Sequence, residues 1–232
     1  MKHLLVNEEI ERSSVVANSL MNRERGCLGS NSYEKELGLN APSFLESRLK
    51  TWGQARWLDL CCGRGKALIE AARRLSERRE TAGLRIVGLD LVSAFDPVPR
   101  EWGFLELLEA SVSSWSPERR FDLITCVHGL HYVGDKLGLI RNAASWLKED
   151  GVFLANLDPD NLKFAGGQNA GNTVIRDLRK FGFEYQPRKH LIGCSGRKDV
   201  AMRYRFLGAD DTAGPNYTGQ SAVNSHYERT DD

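Results

Sequence analysis

A short apolar run that stops on glycines and hands over to a helix constrains this chain most. Residues 56–62, RWLDLCC, read as a buried strand, and the turn CGRG follows at once. Over residues 66–79 the apolar side chains Leu68, Ile69, Ala72 and Leu75 recur at helical spacing. Strand, tight turn and helix in that order form the opening unit of an alternating α/β fold.

The alternation continues downstream. LRIVGLD, residues 84–90, reads as a second strand ending on Asp90. Pro97 and Pro99 then limit any crossover helix before a third strand at 104–109. FDLITCV at 121–127 reads as a buried fourth strand with HGLHY at its exit. A helix over 137–147, an EDG turn at 149–151 and a fifth strand at 152–157 follow, then a helix over 174–180 and strands near 190–194 and 200–207. The expected architecture is a seven-stranded, mostly parallel sheet with helices on both faces. Upstream, residues 7–22 carry Ile10, Val15, Val16 and Leu20 among charges and suggest one amphipathic helix. A short helix from Ser32, a turn at residues 40–42 and a helix bearing Phe44, Leu45 and Leu49 complete an N-terminal cap. The expected division is a helical cap at 1–52, a ligand-binding domain at 53–208 and a polar tail at 209–232 that forms a lid or is disordered.

Composition narrows the function classes. With 232 residues, 41% hydrophobic and 27% charged, the chain has the make-up of a folded domain rather than a low-complexity scaffold. Its 32 basic and 31 acidic residues leave a net charge of +1, so no global field favours nucleic acid or an anionic membrane, and neither is an expected partner. The five cysteines form no CxxC pair and have no histidine at ligand spacing, so no metal is expected. They suit reduced, buried thiols of a cytoplasmic protein. No apolar run approaches the ~20 residues of a membrane span, and the first residues lack a secretory pattern.

In an open α/β sheet, ligands bind at the carboxyl ends of the strands near the point where strand order reverses. Asp59, Cys61, Gly63 and Gly65 occupy the first such exit, where glycines let the backbone turn tightly against a ligand. Asp90 stands at the second, placed to accept hydrogen bonds from ribose hydroxyls. WLDLCCGRGKAL followed by RIVGLD resembles the first two motifs of class I S-adenosylmethionine-dependent methyltransferases, the first often written D-L-x-C-G-x-G. ASVSSWSPERRFDLITCVHGLHYV resembles the family's third and fourth strand region and LGLIRNAASWLKEDGVFLANL its next helix, acidic-glycine turn and fifth strand, so the likeness covers about residues 56–204. It implies a Rossmann-like fold, S-adenosyl-L-methionine as cofactor and methylation of a small-molecule acceptor at O, N or C, by a monomer or homodimer. It further implies that Asp59 and the turn at 61–65, Cys61 included, meet the amino-acid end of the cofactor. Asp90 would meet the ribose and Leu91 the adenine.

Some residues depart from that pattern or leave alternatives open. Ser111, with Val112 after it, stands where the family commonly has an aspartate at the adenine amino group; Glu109 is another candidate for that contact. His128 and His131 follow the fourth strand, where each could act as a general base, shape the cofactor pocket or pack on the sheet. Tyr33 could close over the cofactor or serve cap packing, while Asp158-Pro159-Asp160-Asn161 reads as a turn. The Asn/Asp-Pro-Pro-aromatic motif of nucleic-acid amino methylation is missing from the fourth exit. A nicotinamide-dependent oxidoreductase is disfavoured because Leu68 occupies the sixth position of a GxGxxG fingerprint. A non-catalytic cofactor-binding protein is the other rival.

Overall fold

The computed structural model describes residues 3–17, 24–79 and 81–230. Helices α1 (Asn7–Ile10) and α2 (Ser14–Ala17) replace the single helix expected over 7–22. The break spans residues 11–13, and α2 restarts at Ser14, a residue type that favours helix starts over helix interiors. The rest of that expected helix, Leu20 included, lies outside the described residues. Helix α3 (Tyr33–Leu37) starts at Ser32, whose hydroxyl accepts from Lys35 N at 3.2 Å. Helix α4 (Ala41–Trp52) starts at Asn40, whose side chain accepts from Ser43 N at 3.0 Å.

The first strand, β1 (Ala55–Leu60), leads through the glycine turn into α5 (Lys66–Glu77). The chain continues through β2 (Leu84–Asp90), β3 (Leu105–Glu109) and β4 (Phe121–Cys126). No helix forms between β2 and β3, as Pro97 and Pro99 require. A single 3₁₀ turn, Gly129–Tyr132, then leads to α6 (Lys136–Ser145) and β5 (Leu147–Asn156). The EDG segment expected as a turn lies within β5: Leu147 pairs with Phe121 and Val152 with Leu123, so residues between them bulge out. Beyond it come β6 (Leu162–Phe164), α7 (Gly171–Lys180), β7 (Glu184–Gln186) and β8 (Leu191–Ser195), and the last two strands are β9 (Tyr204–Asp210) and β10 (Asn224–Arg229).

Seven strands form the main sheet in the order β3-β2-β1-β4-β5-β8-β7. The first five run parallel, and β8 runs antiparallel to both β5 and β7. Successive side chains of a strand point to opposite faces, so each strand feeds two cores. Leu58, Leu60 and Ile124 pack with Ile140, Ala143 and Ala144 of α6, whereas Trp57, Ile86 and Leu123 pack with Leu68, Ala72 and Leu75 of α5. Ala41 and Leu45 of α4 belong to the second of these cores, so α4 covers the sheet instead of forming a separate cap. The order reverses between β1 and β4, and this opens a crevice at their carboxyl ends.

One of the expected strands is placed differently. The strand expected over 200–207 forms as β9 and leaves the main sheet for a three-stranded one, β6-β10-β9, so the boundary expected after residue 208 cuts through it. The seventh strand is instead β7, three residues ended by Pro187, too short to show alternation in the sequence.

The polar tail is built into the fold through β10. Tyr227 is buried, donating its hydroxyl to Asp135 at 3.1 Å and accepting from Leu137 N at 3.0 Å. The buried Lys136 Nζ donates to Val133 O, Val223 O and Ser225 Oγ at 2.7–3.0 Å. Burial pushes the Lys136 pKa down to about 7. Its neighbour in this sheet, Asp210, accepts from His226 Nε2 at 2.7 Å, from the Thr212 hydroxyl at 2.6 Å and from Asn224 at 3.2 Å. Burial alone would raise its pKa, but these hydrogen bonds override burial and bring it from 3.8 to about 2. The carboxylate's contribution to stability is therefore full above pH 3.8 and lost as pH falls towards about 2. Asp210→Asn should flatten the acid limb of a melting-temperature profile over that window. An unchanged slope would remove Asp210 as its source.

Candidate cofactor and active site

The turn after β1 is held in a shape that few sequences allow. Cys61, Gly63 and Gly65 adopt φ of 61°, 60° and 77°. At Gly65 a Cβ would also come within 2.6 Å of Leu107 Cδ1, so glycine is required there twice over. The turn is tied to β2 by Cys62 N donating to Leu89 O at 2.8 Å and Gly63 N donating to Asp90 Oδ2 at 2.8 Å. Val92 N donates to the other Asp90 oxygen at 3.2 Å. Backbone donors thus fix this carboxylate at the crevice wall.

A cavity opens at this point, with about 920 Å³ of space between atoms, partly open to solvent. One wall is Cys61, Cys62 and Gly63; a second is Asp90, Leu91, Val92 and residues 110–113; a third is Val127, His128, Gly129, Tyr132 and Val133. Glu11, Val16, Arg25 and Tyr33 close it from the N-terminal segment. Tyr33, Cys61, Gly63, Asp90, Leu91, Ser111, Val112 and His128, all expected from the sequence, therefore meet around one space.

Asp59 and Gly65 stand behind that lining. The fully buried Asp59 accepts from the Tyr33 hydroxyl at 2.7 Å and from the Thr125 hydroxyl at 2.5 Å. Thr125 in turn accepts from Trp57 Nε1 at 2.8 Å. Burial pushes the Asp59 carboxyl up to about 7, against the two hydroxyls, which favour its charged form. Its position makes it an anchor for Tyr33, which carries the contact out to the cavity.

His128 has φ 57°, a left-handed conformation that costs a non-glycine residue about 1–3 kcal/mol. Its backbone N donates to Asn156 Oδ1 at 3.2 Å, and its ring Nδ1 lies 3.3 Å from the Tyr217 hydroxyl. Nε2 is buried and lies 3.3 Å from Glu36 Oε2, in ion-pair range. His128 holds the Glu36 carboxyl below its ordinary range against the opposing effect of burial, aided by Arg25 at 3.4 Å. Tyr217 comes from the tail and stacks on His190 with ring centroids 3.8 Å apart.

His131 takes another place. It is fully buried behind His128, outside the cavity lining, with its ring 5.2 Å from that of Tyr217. Neither ring nitrogen has a hydrogen-bond partner, and burial pushes its pKa down to about 3, so the ring stays neutral. Asp158 accepts from Asp160 N and Tyr217 N, which makes its segment a turn that also holds the tail. Glu109 ends β3 exposed and is not part of the lining, so of the two candidates at that wall only Ser111 faces the cavity.

Sequence reasoning missed Glu11, Arg25, Glu36 and Tyr132. The first three lie in no recognisable motif and reach the site only through the docking of the N-terminal segment, while Tyr132 ends the HGLHY exit. Among the described residues no group of three His, Cys, Asp or Glu side chains is gathered as a metal site.

The arrangement suits an adenosyl group. A fixed carboxylate follows β2, apolar Leu91, Val92 and Val112 flank it, and a polar edge forms at Ser111. A glycine turn adjoins them without side-chain bulk. This fold and site define a Rossmann-like, S-adenosylmethionine-dependent methyltransferase. The family model described as a methyltransferase domain matches residues 32–185, and the chain belongs to that family.

A ubiquinone biosynthesis O-methyltransferase of Xanthomonas campestris pv. campestris (strain B100) is 32% identical over 144 residues, covering 57% of this chain and 55% of that protein. The protein of the same name from Xanthomonas euvesicatoria pv. vesicatoria (strain 85-10) is 30% identical over 155 residues, covering 62% and 59%. The chain thus spans less than two thirds of the length of these relatives. Among solved structures, the plantazolicin methyltransferase BpumL in complex with a pentazolic desmethylPZN analog and SAH superposes with a TM-score of 0.41. It is 15% identical, and the match covers 66% of this chain and 55% of that one.

Asp90→Ala should weaken binding of S-adenosylhomocysteine by about tenfold or more, since hydrogen bonds to a charged group contribute roughly 1.5–3 kcal/mol. Isothermal titration measures this directly. Unchanged affinity would take Asp90 out of the site.

Proposed function

We propose that this chain methylates an oxygen of a small-molecule acceptor, with His128 accepting the acceptor's proton and Glu36 stabilising the imidazolium that results. One observation carries the proposal: a histidine on the cavity wall holds its Nε2 3.3 Å from a carboxylate. An imidazole nitrogen is a proton acceptor, and an adjacent carboxylate can balance the charge it gains. The Tyr217 hydroxyl at Nδ1 fixes the ring on its other side. The relatives named as O-methyltransferases support oxygen as the accepting atom.

When bound, S-adenosylmethionine supplies a methyl carbon on a sulfonium, whose C–S bond breaks with its electron pair kept by sulfur as the acceptor oxygen attacks in line. The protein's residues act on the acceptor and on water. His128 Nε2 takes the hydroxyl proton, and Glu36 balances the new charge. Tyr33 and Tyr132 close the walls, and the tail, through Tyr217, keeps water from His128. His131 supports the His128 ring without exchanging a proton, consistent with its neutral, buried state. Asp59 orients Tyr33.

A net charge of +1 supports a small-molecule acceptor over nucleic acid, and five free cysteines support a cytoplasmic setting. His128→Gln should lower kcat for a hydroxylated aromatic acceptor by about 10²–10⁴-fold while changing S-adenosylhomocysteine affinity only a few-fold. Glu36→Gln should give a smaller loss in the same direction. Full activity of the His128 variant would remove the base. Cofactor binding without transfer across hydroxyl, amine and carbon acceptors would instead indicate a binding protein.

A further inference from the structure

The N-terminal segment carries a carboxylate into the cofactor cavity beside Ser111, which stands where the family commonly has an aspartate. Ser111 Oγ donates to Glu11 Oε1 at 2.5 Å, and both residues line the cavity beside Leu91, Val92 and Val112. Ser113 N donates back to Ser111 Oγ at 3.1 Å, so the hydroxyl is fixed as a donor toward Glu11.

Glu11 itself is held firmly. Leu5 and Ala209 exchange two backbone hydrogen bonds of 2.8 Å, which pins the start of the segment to β9. Asn7 Oδ1 accepts from Asp135 N at 3.0 Å. Ile10, one residue before Glu11, is fully buried against Ala209 and Val223. Three anchors within seven residues therefore set a carboxylate at the polar edge of an otherwise apolar slot.

We propose that Glu11 is the group that recognises the 6-amino edge of the cofactor's adenine, delivered from the N-terminal segment and oriented by Ser111. The proposal rests on S-adenosylmethionine being the methyl donor. A carboxylate is an acceptor only, so it matches an amino donor and opposes a carbonyl oxygen at the same ring position. Ser111 alone, already donating to Glu11, would discriminate little between the two. The proposal also gives β9 a role in cofactor selection, because the segment bearing Glu11 docks on it.

The test compares S-adenosylhomocysteine with S-inosylhomocysteine, which differ at the six-position of the purine, by titration calorimetry on the full chain. Wild type should prefer the amino form by at least about tenfold, since an unmatched buried acceptor is costly. Glu11→Gln can donate as well as accept, so it should bind the amino form more weakly and the oxo form better, and the ratio should fall to near unity. Ser111→Ala, which leaves the carboxylate in place but loses its guide, should reduce the ratio partway. A general loosening of the segment would weaken both ligands alike and leave the ratio intact, and that result would overturn the proposal. Wild-type binding of neither ligand would overturn the cofactor reading with it. Binding of S-adenosylhomocysteine with an unchanged ratio in Glu11→Gln would overturn the Glu11 assignment alone.

Discussion

The hydrogen bond from Gly63 N to Asp90 Oδ2 joins the exits of β1 and β2 and sets the geometry of the site. It requires a backbone N–H that points sideways out of a tight turn, and the positive φ angles at 61, 63 and 65 supply that shape. It also requires the carboxylate to stand at the very end of β2, in register with β1, as the pairing of Leu60 with Leu89 ensures. The walls of the cavity follow from this junction. Strand order reverses between β1 and β4, so the turn and the carboxylate face His128 across the crevice.

Both ends of the described chain converge on this crevice. Residues from the start supply Glu11, Arg25, Tyr33 and Glu36, while the tail supplies Tyr217. The two are coupled through the second sheet, since β9 binds Leu5 and packs on Ile10 while β10 anchors to α6 through Tyr227 and Lys136. The main sheet thus builds the cofactor floor. The second sheet positions what covers it.

The sequence made the parts governed by short-range rules readable. The β1 turn and α5 show in glycine placement and helical spacing, and Asp90 shows by its position after an apolar run. His128 was placed correctly at the exit of β4, although its partners were not visible: Glu36 lies on α3 and Tyr217 in the tail. The second sheet was unreadable for a physical reason. Its buried members include Asp210, Asn224, Ser225 and His226, polar side chains bonded to one another or to Lys136 and Gly134, so composition reads them as a solvated tail. Glu11 stands 100 residues from Ser111, and no local pattern announces such a contact. Edge strand β7 failed for lack of length, and the bulge in β5 was mistaken for a turn because Gly151 is common to both.

The most direct test of the central claim is a crystal structure of the protein soaked with S-adenosylhomocysteine. This account expects the ligand in the cavity between Asp90 and His128, with its ribose on Asp90 and its sulfur on the His128 side. A ligand seated elsewhere, or no binding at saturating concentration, would contradict it.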